Sequence, residues 1–219
     1  MIRPDVGEGR AGETLIFLPG ASGNTATWEP LAGRLSHPGR REFVAWPGFG
    51  GAPPHPGVDG IDDLVDRVSE MVSGPTVLFA QSMGGVVALR VAHRRSEAVQ
   101  ALVLSVTSGG VDVAGLGGLD WRPWFLEAHP EAPSWFVDER QDLTERLSEV
   151  RAPTLLLFGD ADPISPVAVG ERLAGLLPTA DLVVVPGGTH DLVTERASEI
   201  LPHVERHLAR VLGFPSTPR

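Results

Sequence analysis

Residues 76–86 read TVLFAQSMGGV. Val77, Leu78 and Phe79 are apolar and β-favouring, and an apolar pattern at helical spacing (Val86, Val87, Val91) begins just after Gly84. The stretch predicts a strand, a sharp turn and a helix, with Ser82 at the apex. So tight a turn holds its apex residue in a strained backbone conformation. It is tolerated where the residues two before and two after carry little or no side chain. Ala80 and Gly84 meet that need. A serine that opens a helix is also a common N-cap, so a chemical role for Ser82 requires a base, an acid and an oxyanion-stabilising loop elsewhere in the chain.

Composition narrows the chemistry. The chain of 219 residues is within the size of one domain, and its 42% hydrophobic and 21% charged residues are those of a soluble globular protein. No apolar run approaches the roughly 20 residues of a membrane span. The first ten residues, MIRPDVGEGR, lack the apolar core of a secretory signal, and a cytoplasmic protein is expected. There is no Cys, so no thiol nucleophile, disulfide or thiolate metal site. All 18 basic residues are Arg, and without Lys there is no Schiff base or Walker lysine. The available nucleophiles reduce to Ser, Thr, carboxylate and His. A net charge of −10 argues against nucleic acid or an anionic membrane as partner.

Outward from residues 76–86, buried-strand runs alternate with amphipathic helices: TLIFL at 14–18, a short strand at 42–46, a helix at 61–72, VQALVLSV at 99–106, TLLLF at 154–158 and LVVV at 182–185. This alternation predicts a doubly wound parallel α/β sheet, with ligands at the carboxyl ends of the strands. A helix is expected near Trp28 with Thr27 as its cap, and a C-terminal helical region over 192–212 is expected to kink or restart at Pro202. Gly7, Gly9 and Gly12 have dinucleotide-fingerprint spacing but no preceding strand, and are read as coincidence. His203 and His207, four residues apart, are read as an exposed helix face and not as a metal site. The last residues, GFPSTPR, read as a loose tail.

Four stretches at strand ends, PGASG at 19–23, AQSMG at 80–84, GDADPISP at 159–166 and PGGTHD at 186–191, stand in the order of the α/β-hydrolase family, which the chain resembles from Thr14 onward. The resemblance implies that fold with about six core strands, its N-terminal strands reduced, and a nucleophile elbow at Ser82. It implies His190 as base and Asp162 as the acid that orients it, with Asp160 as rival. The amides of Ala21 and Met83 would form the oxyanion hole. Pro19 stands where the family usually has His, so the hydrogen bonds by which that His braces the loop would be lost. In this family a cap is inserted at the point corresponding here to residues 108–150. That segment carries Trp121, Trp124, Trp135 and Phe125, which together with Ser22 are expected to line the substrate pocket. Its nine acidic residues against three Arg disfavour an anionic substrate.

The implied activity is a serine hydrolase acting on a small neutral ester through an acyl-enzyme, with no cofactor and no metal. C–C bond cleavage or a lyase or cyclase step on a diketone, drawing on Arg122 or Arg140, is the enzymatic alternative. A ligand-binding homologue with a silent triad is the non-enzymatic one.

Overall fold

A computed structural model describes residues 12–213. In chain order the elements are β1 (Thr14–Leu18), a 3-10 turn (Thr25–Trp28) leading into α1 (Glu29–Ala32), β2 (Arg40–Phe43), α2 (Ile61–Met71), β3 (Thr76–Gln81), α3 (Met83–Arg94) and β4 (Val99–Ser105). Then come α4 (Arg122–Ala128), α5 (Ser134–Asp138), β5 (Thr154–Gly159), α6 (Val167–Leu176), β6 (Ala180–Val185), α7 (Leu192–Glu195) and α8 (Ala197–Leu212). The six strands form one sheet in the order β2-β1-β3-β4-β5-β6, and every adjacent pair is parallel.

The continuous apolar strands are explained by burial on both faces. Leu15, Phe17, Val77, Phe79 and Val103 point to one side, where Trp28, Leu31, Leu192, Ile200 and Val204 cover them. Ile16, Leu18, Leu78, Ala80, Leu102 and Leu104 point to the other, under Leu64, Val68, Val87, Val91 and Leu173. Each helix therefore needs only one apolar stripe, and α2 supplies it with Ile61, Leu64, Val65 and Val68.

The chain runs from β1 outward to β2 and returns across β1 to β3. The direction of winding thus reverses between β1 and β3, and beyond the carboxyl ends of strands at such a reversal is where open α/β sheets bind their ligands. The 19–23 loop and Ser82 both follow directly from those two strands.

Four local expectations are corrected. The second strand is Arg40–Phe43 and not 42–46, because it pairs with β1 from Thr14↔Arg40 to Phe17↔Phe43. As an edge strand it accommodates charged residues there. Helical structure near Trp28 begins earlier, and its cap is Asn24, whose side chain accepts the Ala26 amide, in place of Thr27. The C-terminal helical region breaks at Arg196, and Pro202 lies inside α8. There Pro202 forgoes only a bond to the carbonyl of exposed Ser198. His207 is buried, 3% exposed, and not on an open face. Gly7, Gly9 and residues 214–219, for which a reading was given above, lie outside the described residues.

Candidate active site

β3 ends at Gln81, and Ser82 follows with φ 53 and ψ −120, a conformation rare outside glycine. Backbone hydrogen bonds hold it there. The Ser82 amide donates to Ser105 O at 3.0 Å, and Thr107 Oγ1 donates to Ser82 O at 2.7 Å. A Cβ on Gly84 would stand 2.6 Å from Pro19 O and 2.9 Å from Leu18 O, so only glycine lets α3 start this close to the 19–23 loop. The second glycine, Gly85, makes room for Thr107 in the same way.

Beyond β5 and β6 two loops meet. A Cβ on Gly159 would collide with the backbone of Gly188, so this glycine pair brings the 160–166 loop against the 186–191 loop. Asp162 is 4% exposed. Its Oδ1 accepts the amides of Ile164 (2.8 Å) and Ser165 (3.2 Å), and its Oδ2 lies 2.8 Å from His190 Nδ1. Asp160 turns away from the imidazole and accepts the Gly187 amide at 2.6 Å, pinning the turn that carries His190. His190 Nε2 lies 3.0 Å from Ser82 Oγ. With Nδ1–H given to Asp162, Nε2 is the acceptor for the serine hydroxyl. The imidazole, 22% exposed, is reachable from solvent while the carboxylate behind it is sealed.

One further bond ties this row together. Gln81, buried beside Ser82, donates from Nε2 to the His190 carbonyl at 3.1 Å.

Residues 20–23 form a tight turn closed by Gly23 N–H to Gly20 O at 3.0 Å, which leaves the Ala21 amide out of its hydrogen bonding. Met83 is the first residue of α3, where an amide has no intrahelical acceptor. A Cβ on Gly20 would lie 3.2 Å from Ser82 Cβ, so the turn is seated against the serine. The bracing that Pro19 cannot supply comes from two residues that the sequence did not single out for it. Trp46 Nε1 donates to Pro19 O at 2.9 Å, and Trp28 Nε1 donates to Leu18 O at 3.0 Å.

The connection between β4 and β5, residues 106–153, borders the site on two sides. Leu119 N donates to Pro163 O at 2.8 Å, next to Asp162, and Pro133 fills the space beside Gly48. Its aromatics cluster around buried Phe136, with Trp121 (4.9 Å between centroids), Phe125 (5.3 Å) and Trp135 (6.1 Å) around it. Phe49 anchors the cluster to the body at 5.5 Å from Phe136. Trp124 stands apart and is half exposed, because Trp121 and Phe125 share one face of α4 and Trp124 lies on the flank. Ser22 is exposed at the mouth of the 20–23 turn. Phe49 and Phe136 organise this wall; of the two, Phe49 was not expected to, its signal being only that of an aromatic residue in a turn-rich segment.

Residues 15–137 match the model of the alpha/beta hydrolase family, more than half of the chain, and residues 128–211 match that of the TAP-like proteins. The chain belongs to the alpha/beta hydrolase family. This hydrolase-family chain is 25% identical over 227 residues to a pimeloyl-acyl-carrier-protein methyl ester esterase of Nitrosomonas europaea, covering 82% of the chain and 89% of that relative. In fold it resembles an esterase from Thermogutta terrifontis, with TM-score 0.74 and 23% identity over 92% of this chain and 91% of that one. It also resembles a meta-cleavage product hydrolase from Pseudomonas fluorescens, with TM-score 0.74 and 20% identity over 91% and 92% of the two chains. Among the described residues no group of acidic or histidine side chains is arranged to hold a metal ion, and no helix is long and apolar enough to cross a membrane.

Proposed function

We propose that this alpha/beta hydrolase is a serine esterase that cleaves a small, uncharged carboxylic ester through an acyl-enzyme, with Ser82 as nucleophile, His190 as base and Asp162 as its orienting acid. The observation that carries the reading is the connected row of Ser82 Oγ, His190 Nε2 at 3.0 Å, and His190 Nδ1 at 2.8 Å from Asp162 Oδ2. As Ser82 Oγ attacks the ester carbonyl, its proton passes to His190 Nε2, and Asp162 stabilises the imidazolium. The carbonyl oxygen gains negative charge against the amides of Ala21 and Met83. The tetrahedral species collapses as His190 returns the proton to the departing alkoxide oxygen. Water then enters, loses a proton to the same Nε2, and attacks the acyl carbon. Collapse of the second tetrahedral species restores the Ser82 hydroxyl and releases the carboxylic acid. No step calls for a cofactor.

The 106–153 connection acts as a cap, with Trp121, Phe125 and Trp135 as its apolar wall. Its acidic surface disfavours anionic substrates, and the methyl ester esterase among the relatives supports an ester. The diketone alternative needs a guanidinium free to meet the substrate. Arg122 is engaged with Asp120 and the Val137 carbonyl and lies over Trp121, while Arg140 is held by the carbonyls of Val137 and Glu139.

With p-nitrophenyl acetate the protein is expected to show a burst of p-nitrophenol, and Ser82→Ala to lose roughly a thousandfold or more in kcat. Esterase activity retained in Ser82→Ala would overturn the reading, and turnover of diketones but not esters would replace it with the lyase.

A further inference from the structure

We propose that Trp46 and Trp28 are positioning residues for the oxyanion hole, taking over the bracing that Pro19 cannot provide. The inference rests on the esterase reading above. The carbonyls of Leu18 and Pro19, which lead into the Gly20–Gly23 turn, each receive one indole N–H. The two indoles approach from opposite sides of the sheet, since Trp28 packs with Phe17 and Phe79 on one face and Trp46 packs with Leu18 and Ala80 on the other. Both indoles are 1% exposed, so each bond is made out of reach of water. Loss of one would leave a buried carbonyl without that donor.

The same two carbonyls face the space where Gly84 lacks a side chain, at 2.9 and 2.6 Å from its would-be Cβ. The grip of the indoles therefore falls on the contact between the turn and the start of α3, one residue from Met83. Displacement of Pro19 O changes the spacing of the Ala21 and Met83 amides, while the Ser82, His190 and Asp162 row, built on β3, β5 and β6, stays in place.

Trp46 holds the far side of the turn as well. Its carbonyl accepts the Phe49 amide at 3.1 Å, and the would-be Cβ of Gly23 lies 2.6 Å from both Phe49 C and Gly50 N. Residues 19–23 are thus fixed at both ends by one short turn, whose Phe49 ring carries Trp135 and Phe136 of the cap at 5.8 and 5.5 Å. Pro47 follows Trp46 directly and restricts it to extended backbone, which keeps the indole aimed.

The test is Trp46→Phe, which keeps an aromatic ring and removes the N–H, with Trp28→Phe as its counterpart on the other face. Misplacing one oxyanion donor is expected to lower kcat about tenfold or more with KM within about twofold. Affinity for an alkyl boronic acid, whose adduct on Ser82 is tetrahedral and anionic, should fall by the same factor as kcat/KM, while affinity for the carboxylic acid product holds. Should Trp46→Phe fold poorly, benzothienylalanine at position 46 keeps the bicyclic shape without the N–H and repeats the measurement. Variants that lose melting temperature but keep wild-type kcat and boronate affinity would overturn the proposal. Ser82→Ala separates the two readings: if it remains active the esterase reading fails, whereas an inactive Ser82→Ala beside a fully active Trp46→Phe removes the brace alone.

Discussion

The two ends of the sheet each hold a carboxylate and an imidazole 2.8 Å apart. At the carboxyl end they are Asp162 and His190, and at the amino end Glu13 and His37, just ahead of β1 and β2. Their surroundings differ. The second nitrogen of His190 meets a serine hydroxyl and the ring is 22% exposed. The second nitrogen of His37 accepts the Gly39 amide at 3.0 Å and the ring is 2% exposed. A carboxylate–imidazole pair is therefore not in itself a reactive unit. At the amino end it satisfies buried polar groups and fixes a loop; at the carboxyl end it faces a hydroxyl and solvent, the setting that the proposed esterase chemistry requires.

Substitution should separate these roles. Asp162→Asn is expected to lower kcat by roughly a thousandfold or more, since the amide no longer selects the tautomer with the proton on Nδ1. Asp160→Asn, which touches only the Gly187 turn, should lose far less. Steady-state rates on p-nitrophenyl acetate decide this, and a larger loss in Asp160→Asn than in Asp162→Asn would show that the acid was assigned on the wrong aspartate.

The amino end should declare itself in stability. His207 lies in α8, whose last residues Val211 and Leu212 share a cavity with Val99 and Pro153 at the beginnings of β4 and β5. Burial, and then the nearby Arg210 guanidinium, push its pKa from the usual 6.5 down to about 4, with Asp181 opposing. The unfolded chain then binds more protons than the folded one between those values. Stability is complete above pH 6.5, falls as pH drops through the window and levels off below about 4. The loss is at most about 3 kcal/mol. Denaturant titrations across that range should show the decline, and His207→Leu should flatten it; an unchanged slope in the variant would locate the effect elsewhere. Smallest of all, Glu13→Gln should cost about 1 kcal/mol of stability by exchanging a charge-assisted bond for a neutral one, and leave kcat unchanged. A fall in kcat would mean that the two ends communicate.

The sequence exposed what is decided locally. The Ser82 turn is legible because its steric demand falls on Ala80 and Gly84, two positions away, whereas the His190 and Asp162 loops stand out only through their resemblance, in chain order, to the family's motifs, since each taken alone reads as an ordinary turn. The indole bonds to the chain leading into the 20–23 turn were not legible, because Trp46 and Pro19 meet only once β1 and the chain after β2 lie side by side. The same holds for Gln81 and the His190 carbonyl, which lie 109 residues apart in sequence. The burial of His207 has a signal in the sequence. It stands three residues after Val204 and seven after Ile200, on the apolar stripe of α8, whereas His203 lies off it. The aromatic wall was half legible: composition located it, but only packing against Phe49 and Phe136 separated Trp121, Phe125 and Trp135 from Trp124.

The proposed chemistry turns on which atom forms the covalent bond. Acid quenching during turnover of p-nitrophenyl acetate, followed by peptide mass spectrometry, reads that atom directly. An acetyl group on Ser82 is expected, formed at the rate of the burst and absent from His190→Ala. Full turnover with Ser82 unmodified, or an acetyl group that accumulates on another side chain at the burst rate, would contradict it.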